Sequence, residues 1–254
     1  MSDRWRQRAY LALEIGTTVA VLALIWAYTN ANPSVAVPRV SDALREFKDA
    51  WLFSRVGSDV IPSLGRLVVG YALSVLIAVP LGLALGSFTW LRLLLQPAMT
   101  FIRSVPAVAL IPPLVIVLGS GDRMKLVLIV TVCIWPIVLN TADGTLQLDD
   151  TLRATMRSYG LSRWDRVRSV ILPAVSPRIF AGMRTSLALA LILVIASEYL
   201  AGTNGIGFFV SQAQQTYDVA SMWAGIILLG IVGYVLNLLF LKVQRRVLHW
   251  HRTD

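Results

Sequence analysis

The sequence predicts an all-α, polytopic membrane protein of six transmembrane helices, and three observations carry that prediction. Of 254 residues, 56% are hydrophobic and only 15% charged, against roughly 25% charged in a soluble domain. Apolar runs of about 20 residues recur, each long enough to cross a hydrocarbon core of roughly 30 Å. Leu, Val, Ile and Ala dominate these runs without the period-2 alternation of a membrane β-barrel.

The first span is expected over 9–28, behind Arg4, Arg6 and Arg8. A basic start also suits a signal peptide, but this apolar stretch outruns the usual 7–15 residues, so a retained helix is expected. Glu14 can sit at its interface. A polar stretch follows, whose 41–51 part reads as a short amphipathic helix with Ser41 as N-cap and Leu44, Phe47 and Trp51 on one face.

Further spans are expected over 61–86, 97–118, 124–144, 177–202 and 222–243. Pro80, Pro106, Pro112, Pro113 and Pro136 fall inside these runs, where a missing N–H should kink or break a helix. Broken helices at membrane depth either line a pathway or serve packing alone. Cys133, the single cysteine, reads as a small packing residue and excludes an internal disulfide.

The net charge of +9 invites a nucleic-acid reading, but the arginines cluster at the ends of apolar runs. That placement belongs to membrane topology, and no nucleic-acid partner is expected. Arg4, Arg6, Arg8, Arg92, Arg153, Arg157, Arg163, Arg166, Arg168, Arg245, Arg246 and Arg252 fall on one side; Arg39, Arg45, Lys48, Arg55, Arg123 and the partly embedded Lys125 fall on the other, where acids balance many of them. Both termini are therefore expected in the cytoplasm. Three regions follow: 1–60 with the tail, first span and outer amphipathic segment; 61–243 as a five-span core with a cytoplasmic loop 145–176; and a basic tail, 244–254.

That loop contains "MRSYGLSRWDRVRSVILPAVSPR" (156–178). Asp149, Asp150 and Thr151 offer helix-start chemistry, and Gly160 suits the left-handed position that ends a helix. Ser162 with Asp165 three residues on is a capping-box-like start, and Pro173 is expected to close the segment. The pattern reads as helix, glycine turn, short helix, exit into the membrane. A basic loop obeying topology alone needs no glycine turn, cap or aromatic knob, whereas Trp and Arg dominate interface energetics.

The segment resembles the cytoplasmic loop of permease subunits of ATP-binding-cassette importers, in which Glu-Ala-Ala, three residues and Gly precede a hydrophobic-x-Leu-Pro end. Gly160 and Ile171-Leu172-Pro173 match that pattern. "SLGRLVVGYALSVLIAVPLGLALGSFTWLR" (63–92), "RSVPAVALIPPLVIVLGSGDRMK" (103–125), "WPIVLNTADG" (135–144) and "ASEYLAGTNGIGFFV" (196–210) are similar to the sulfonate, taurine and nitrate branch. One departure stands out. Ala154, Thr155 and Met156 occupy the Glu-Ala-Ala positions, so the glutamate's role is not carried over, and Asp149 or Asp150 are the nearest acids able to replace it.

The resemblance implies a type I importer permease fold and a coupling loop that fits a cleft on a cassette ATPase, placing Arg157, Gly160, Leu161, Ser162, Arg163, Trp164, Asp165, Val167 and Pro173 at that contact. It also implies a translocation pathway for a small solute of the sulfonate, taurine, nitrate, bicarbonate or vitamin-precursor class, a second permease copy in a homodimer, an extracytoplasmic substrate-binding protein, and a bacterial inner-membrane location. No phosphate loop exists here, because Lys48, Lys125 and Lys242 do not follow a glycine. ATP and magnesium are therefore expected on the partner, with no cofactor in this chain.

Enzyme readings find little. His249 and His251 lie in the basic tail, no Cys/His cluster has metal-ligand spacing, and no catalytic residue is assigned. Arg103, Pro106, Asn140 and Glu198 are candidate pathway residues. Arg103 lies toward the inner part of the third span and could attract an anion, and Glu198 lies toward the outer end of the fifth; local satisfaction is the alternative for each. The loop 203–221 reads equally as a gate or as an ordinary re-entrant turn. An ion-coupled secondary transporter is the rival function, for which Glu198 would be the one deep carboxylate.

Overall fold

The structure is a computed structural model describing residues 38–51 and 55–250 throughout, with 13, 16–17, 20–21, 23–24 and 26–31 before them. Arg4, Arg6, Arg8, Glu14, His251 and much of the expected first span lie outside the described residues. Those described form helices and turns, without a strand among them.

Two compact units are present, one of residues 1–56 with 210–228 and one of 57–209 with 229–254. In the first, α1 (Val40–Asp49) is capped by Arg39 rather than Ser41. The Ser41 hydroxyl turns to the Asp42 carboxylate, while Asp42 and Ala43 donate their N–H groups to the Arg39 carbonyl. Its buried stripe is Ala43 and Ala50 with Trp51 beyond them, and Leu44 lies outward, a shift of one position from the expected face. The Ser221 hydroxyl meets the Glu46 carboxylate at 3.1 Å in the same unit.

The second unit holds the membrane-spanning core. A π turn, Val56–Val60, leads into α2 (Ile61–Ser87). Then come α3 (Thr89–Ser104), a 3-10 turn (Ala107–Leu110) and α4 (Ile111–Leu118). After them run α5 (Asp122–Leu146), α6 (Asp150–Ser158), α7 (Arg163–Asp165) and α8 (Leu172–Ala201). The chain continues with α9 (Ile206–Gln215) and α10 (Val219–Val247). Four of the described helices are long and apolar enough to cross a membrane, and five when α3 and the 107–118 piece count as one bent span.

That bent span corrects the expected single helix over 97–118. Its helix begins at Thr89 and turns by 90° at Val105–Pro106. Proline disfavours helical backbone in the residue before it, and Val105 is extended. Pro112 and Pro113 then open α4, where a missing N–H costs nothing. Pro80 and Pro136 do not break their helices. Each removes one hydrogen bond from a helix of at least 25 residues that is packed along its length.

α5 is the central helix, packed on α2 and α8. Leu67, Met124, Leu128, Ile129, Cys133, Leu193 and Val194 form one buried cluster; Ala78, Leu85, Ile137, Val138 and Ala142 form another. Small residues set the spacing. A Cβ on Gly82 would lie 2.5 Å from the Thr141 Cβ and 2.8 Å from the Val138 carbonyl, and one on Gly86 would collide with Thr145 in the same way. Such close approach is how helices associate where burial of apolar surface gives no net drive.

Candidate functional site

The 149–171 hairpin is built by local hydrogen bonds. The Asp149 carboxylate accepts the Thr151 N–H at 2.9 Å and starts α6. Gly160, at φ +62°, ends it: its N–H reaches the Arg157 carbonyl at 3.0 Å, and the Leu161 N–H the Met156 carbonyl at 3.4 Å. This paired closure needs the left-handed backbone that glycine adopts without strain. The Ser162 hydroxyl then accepts the Asp165 N–H at 3.1 Å and starts α7.

Pro173 does not close the segment. Helix runs on from α7 through a π stretch, Arg166–Ile171, into α8. Pro173 stands in the first turn of the segment that resumes α-helical bonding, where proline is tolerated. The short helix and the span are therefore one helix from Arg163 to Ala201.

The arginines divide by role. Arg153 donates to the Thr145 carbonyl at 2.8 Å and the Leu148 carbonyl at 3.3 Å, tying α6 to the end of α5. Arg166 donates to the Leu161 carbonyl at 2.8 Å, and Arg178 to the Gln147 side chain at 2.9 Å. Met156 is buried behind them. The guanidinium groups of Arg157 and Arg163 make no hydrogen bond or ion pair among the described residues. Asp165 and Ser162 are exposed, Val167, Leu161 and Pro173 half-buried, and Trp164 is 69% exposed. A cavity of about 220 Å³ behind the hairpin is lined by Arg153, Arg157 and Arg166 with Ser87 and Thr145.

At the opposite ends of α2, α5 and α8 lies a buried ion cluster that the sequence reading missed. The Glu198 carboxylate, 0% exposed, accepts from Arg66 Nη1 at 2.6 Å, from the Ser63 hydroxyl at 2.7 Å and from the Gly207 N–H at 3.1 Å. Arg66, 7% exposed, also donates to Asp122 at 2.7 Å and to the Asn204 side chain at 2.6 Å. Asp59 accepts the Gly205 N–H at 2.9 Å. Gly205, at φ +112°, leaves no room for a Cβ against the Glu198 carboxylate. The 202–207 turn thus wraps this acid. Lys125 is 1% exposed beside the cluster.

The Glu198 charge is therefore matched locally by Arg66. The deep carboxylate that a proton- or sodium-coupled transporter would use is spent in this tie. A signal was available in the sequence: Arg66 stands within the expected 61–86 span and, like Glu198, needs a partner there. Asn140 is satisfied too, donating to the Pro136 carbonyl at 2.8 Å. Pro106 begins the 3-10 turn. Arg103 lines a cavity with Thr131 and Trp135 of α5.

The chain is similar to known proteins. The family model described as binding-protein-dependent transport system inner membrane component matches residues 78–249. The chain is 30% identical to the Probable ABC transporter permease protein of Brucella melitensis, over 89% of this chain and 92% of that one. It is 28% identical to the taurine transport system permease protein TauC of Escherichia coli, over 98% and 93%. Against the nitrate import permease protein NrtB of Synechocystis the identity is 27%, over 86% and 83%. Among solved structures, an inward-facing MetNI methionine ABC transporter aligns with a TM-score of 0.65 at 21% identity, covering 74% of this chain and 94% of that chain. The fold is that of a type I importer permease, and the chain belongs to the binding-protein-dependent transport system inner membrane components, the membrane-spanning permease subunits of ABC importers.

Proposed function

We propose that this chain forms the translocation pathway for a small oxyanion of the sulfonate, nitrate or bicarbonate class and is driven by a separate cassette ATPase seated on its 157–167 hairpin. The observation that carries the coupling role is the division of labour within that hairpin. Arg153, Arg166 and Met156 hold it from behind, while Trp164 and Arg163 are exposed and the guanidinium groups of Arg157 and Arg163 make no hydrogen bond or ion pair among the described residues. An exposed aromatic and arginines on a rigid, capped helix make an interface anchor.

Relatives that are taurine, nitrate and bicarbonate permeases support the solute class. In this reading a second copy of the chain completes the pathway. A substrate-binding protein delivers the solute on the outer face, and ATP with its magnesium stays on the ATPase. The protein sits in a bacterial inner membrane with both termini cytoplasmic. Closure of the ATPase favours one access state, which for a full switch requires a bias of about 5.5 kcal/mol.

The test is purification of the tagged chain from native membranes in mild detergent, with mass spectrometry of what accompanies it. A P-loop ATPase in near one-to-one ratio is expected with wild type and is lost in Gly160→Pro and Trp164→Ala while the permease stays monodisperse. A wild-type chain that emerges alone and moves solute in vesicles without ATP would overturn the reading.

A further inference from the structure

Away from the hairpin and the ion cluster, hydrogen-bond donors gather at one cavity with nothing to bond. It measures about 160 Å³ and opens where α3 gives way to the 3-10 turn, against the middle of α5. Its walls are largely apolar, with Ile102, Val105 and Leu189 among them, and its polar side chains are Arg103, Thr131 and Trp135. The Trp135 indole nitrogen is buried and has no acceptor. An indole N–H can only donate, and a guanidinium has five donors and no acceptor. The side chains of Arg103 and Thr131 make no hydrogen bond or ion pair among the described residues. No carboxylate lines the cavity.

We propose that this cavity is an oxyanion subsite within the transport pathway. Arg103 supplies the charge and a two-pronged donor edge, and the Trp135 N–H and Thr131 hydroxyl complete the set. The inference rests on the oxyanion-importer reading and gives it a place. A donor-rich, carboxylate-free site offers a cation nothing to pair with, whereas the guanidinium fork matches two oxygens of a planar or tetrahedral anion.

Depth supports the assignment. Trp135 stands 13 residues from the start of α5 and 11 from its end, about 20 Å and 16 Å at the helical rise. Arg103 is exposed on the single chain, and an arginine within a membrane-spanning segment needs a counterion, which none of the described residues provides. The volume equals about five waters of liquid, suited to an anion of a few heavy atoms. The break at Val105–Pro106 is what brings the end of α3 to this place: two extended residues stop the helix one turn after Thr100 and leave Arg103 at its rim.

A lipid phosphate offers the same oxygens, so the source must be separated. The complex of permease and ATPase, purified in uncharged detergent without binding protein, is titrated with sodium nitrate, sodium bicarbonate or taurine at constant ionic strength. Thermal stabilisation is the readout, since a ligand of the folded state raises the midpoint saturably. Choline and urea serve as cationic and neutral controls, and phosphatidylglycerol as the lipid arm.

At least one oxyanion is expected to saturate in wild type. Its half-saturating concentration rises at least tenfold in Arg103→Gln, less in Arg103→Lys, and several-fold in Trp135→Phe. Each variant is compared only where it co-elutes with the ATPase, and the wild-type titration stands without any of them. No saturation by the three oxyanions, saturation unchanged in Arg103→Gln, or stabilisation by the lipid alone overturns the subsite. ATP-driven uptake by the wild-type complex in neutral-lipid vesicles separates the two claims. Uptake of an uncharged solute with no oxyanion bound sinks the subsite and the solute class but leaves the importer. Oxyanion uptake without binding here sinks the subsite alone, and no ATP-driven uptake at all sinks the function on which it rests.

Discussion

Removing the Glu198 carboxylate tests the buried ion cluster most directly. Glu198→Ala deletes the 2.6 Å ion pair with Arg66 and the acceptor of the Ser63 hydroxyl and Gly207 N–H. Breaking a buried pair by deleting one partner costs about 3–5 kcal/mol, because the other charge stays buried without compensation. The lower end applies here, since Arg66 keeps Asp122 at 2.7 Å, itself 66% exposed, and the Asn204 side chain at 2.6 Å. A loss of about 3 kcal/mol lowers the unfolding midpoint by about 6–12 °C for a chain of this size.

The assay is thermal unfolding of detergent-solubilised permease followed by size-exclusion fluorescence, run on Glu198→Ala and on a cycle of Glu198→Leu, Arg66→Met and the pair Arg66→Met/Glu198→Leu. Replacing both charges with apolar groups of similar volume removes the desolvation cost along with the attraction. The double variant is therefore expected to recover most of the stability lost by Glu198→Ala, with a coupling energy of about 1–3 kcal/mol. A midpoint within 2 °C of wild type for Glu198→Ala, about 1 kcal/mol or less, would refute the reasoning. So would a double variant as unstable as the sum of its parts.

At Gly160 a Cβ meets nothing within 4 Å, so Gly160→Ala pays only for the left-handed backbone, about 1–2 kcal/mol. Weaker retention of the ATPase is expected, with Gly160→Asn nearer wild type because asparagine tolerates that conformation, both read by pull-down. Gly86→Val drives side-chain carbon into Thr145 and the Ala142 carbonyl and should destabilise by about 1–3 kcal/mol; Gly65→Ala, with open space around it, should shift the thermal midpoint by less than about 2 °C. Arg153→Ala removes both ties from α6 to the end of α5, and limited proteolysis within 148–160 is expected to quicken while the core fragments stay intact.

The hairpin was legible in the sequence because its determinants are local. Asp149, Gly160, Ser162 and Asp165 act through bonds no more than five residues away, so residue type and spacing contain the outcome. Pro173 misled because a proline reads the same at the end of one helix and in the first turn of another. Only the π stretch before it decides which. The buried ion cluster was opaque for the opposite reason: Ser63 and Arg66 reach Glu198 across 135 and 132 residues, and no local pattern joins them. Trp135 passed as one more apolar residue of a span, since the lack of an acceptor for its N–H is a fact of packing.

The continuous helix from Arg163 to Ala201 joins two sites that the sequence showed as separate. Its 39 residues extend about 58 Å at the helical rise, with the exposed Trp164 near one end and Glu198 in the last turn of the other. A hinge placed between them, such as a loop closed by Pro173, would let the hairpin turn without the span. Helical bonding through Arg166–Ile171 stands where such a loop would be, and α8 is packed on α5, where Gly182 approaches the Pro136 carbonyl too closely to admit a Cβ. Displacement of the hairpin must then be absorbed by α8 moving as a body or by the π stretch changing register. The buried Arg66–Glu198 tie sits where body movement would be resisted, and π stretches mark places where a helix yields. The arrangement therefore assigns compliance to 166–171 and resistance to the buried ion cluster, a division set by where the structure spends its buried ions and where it relaxes its helical turn.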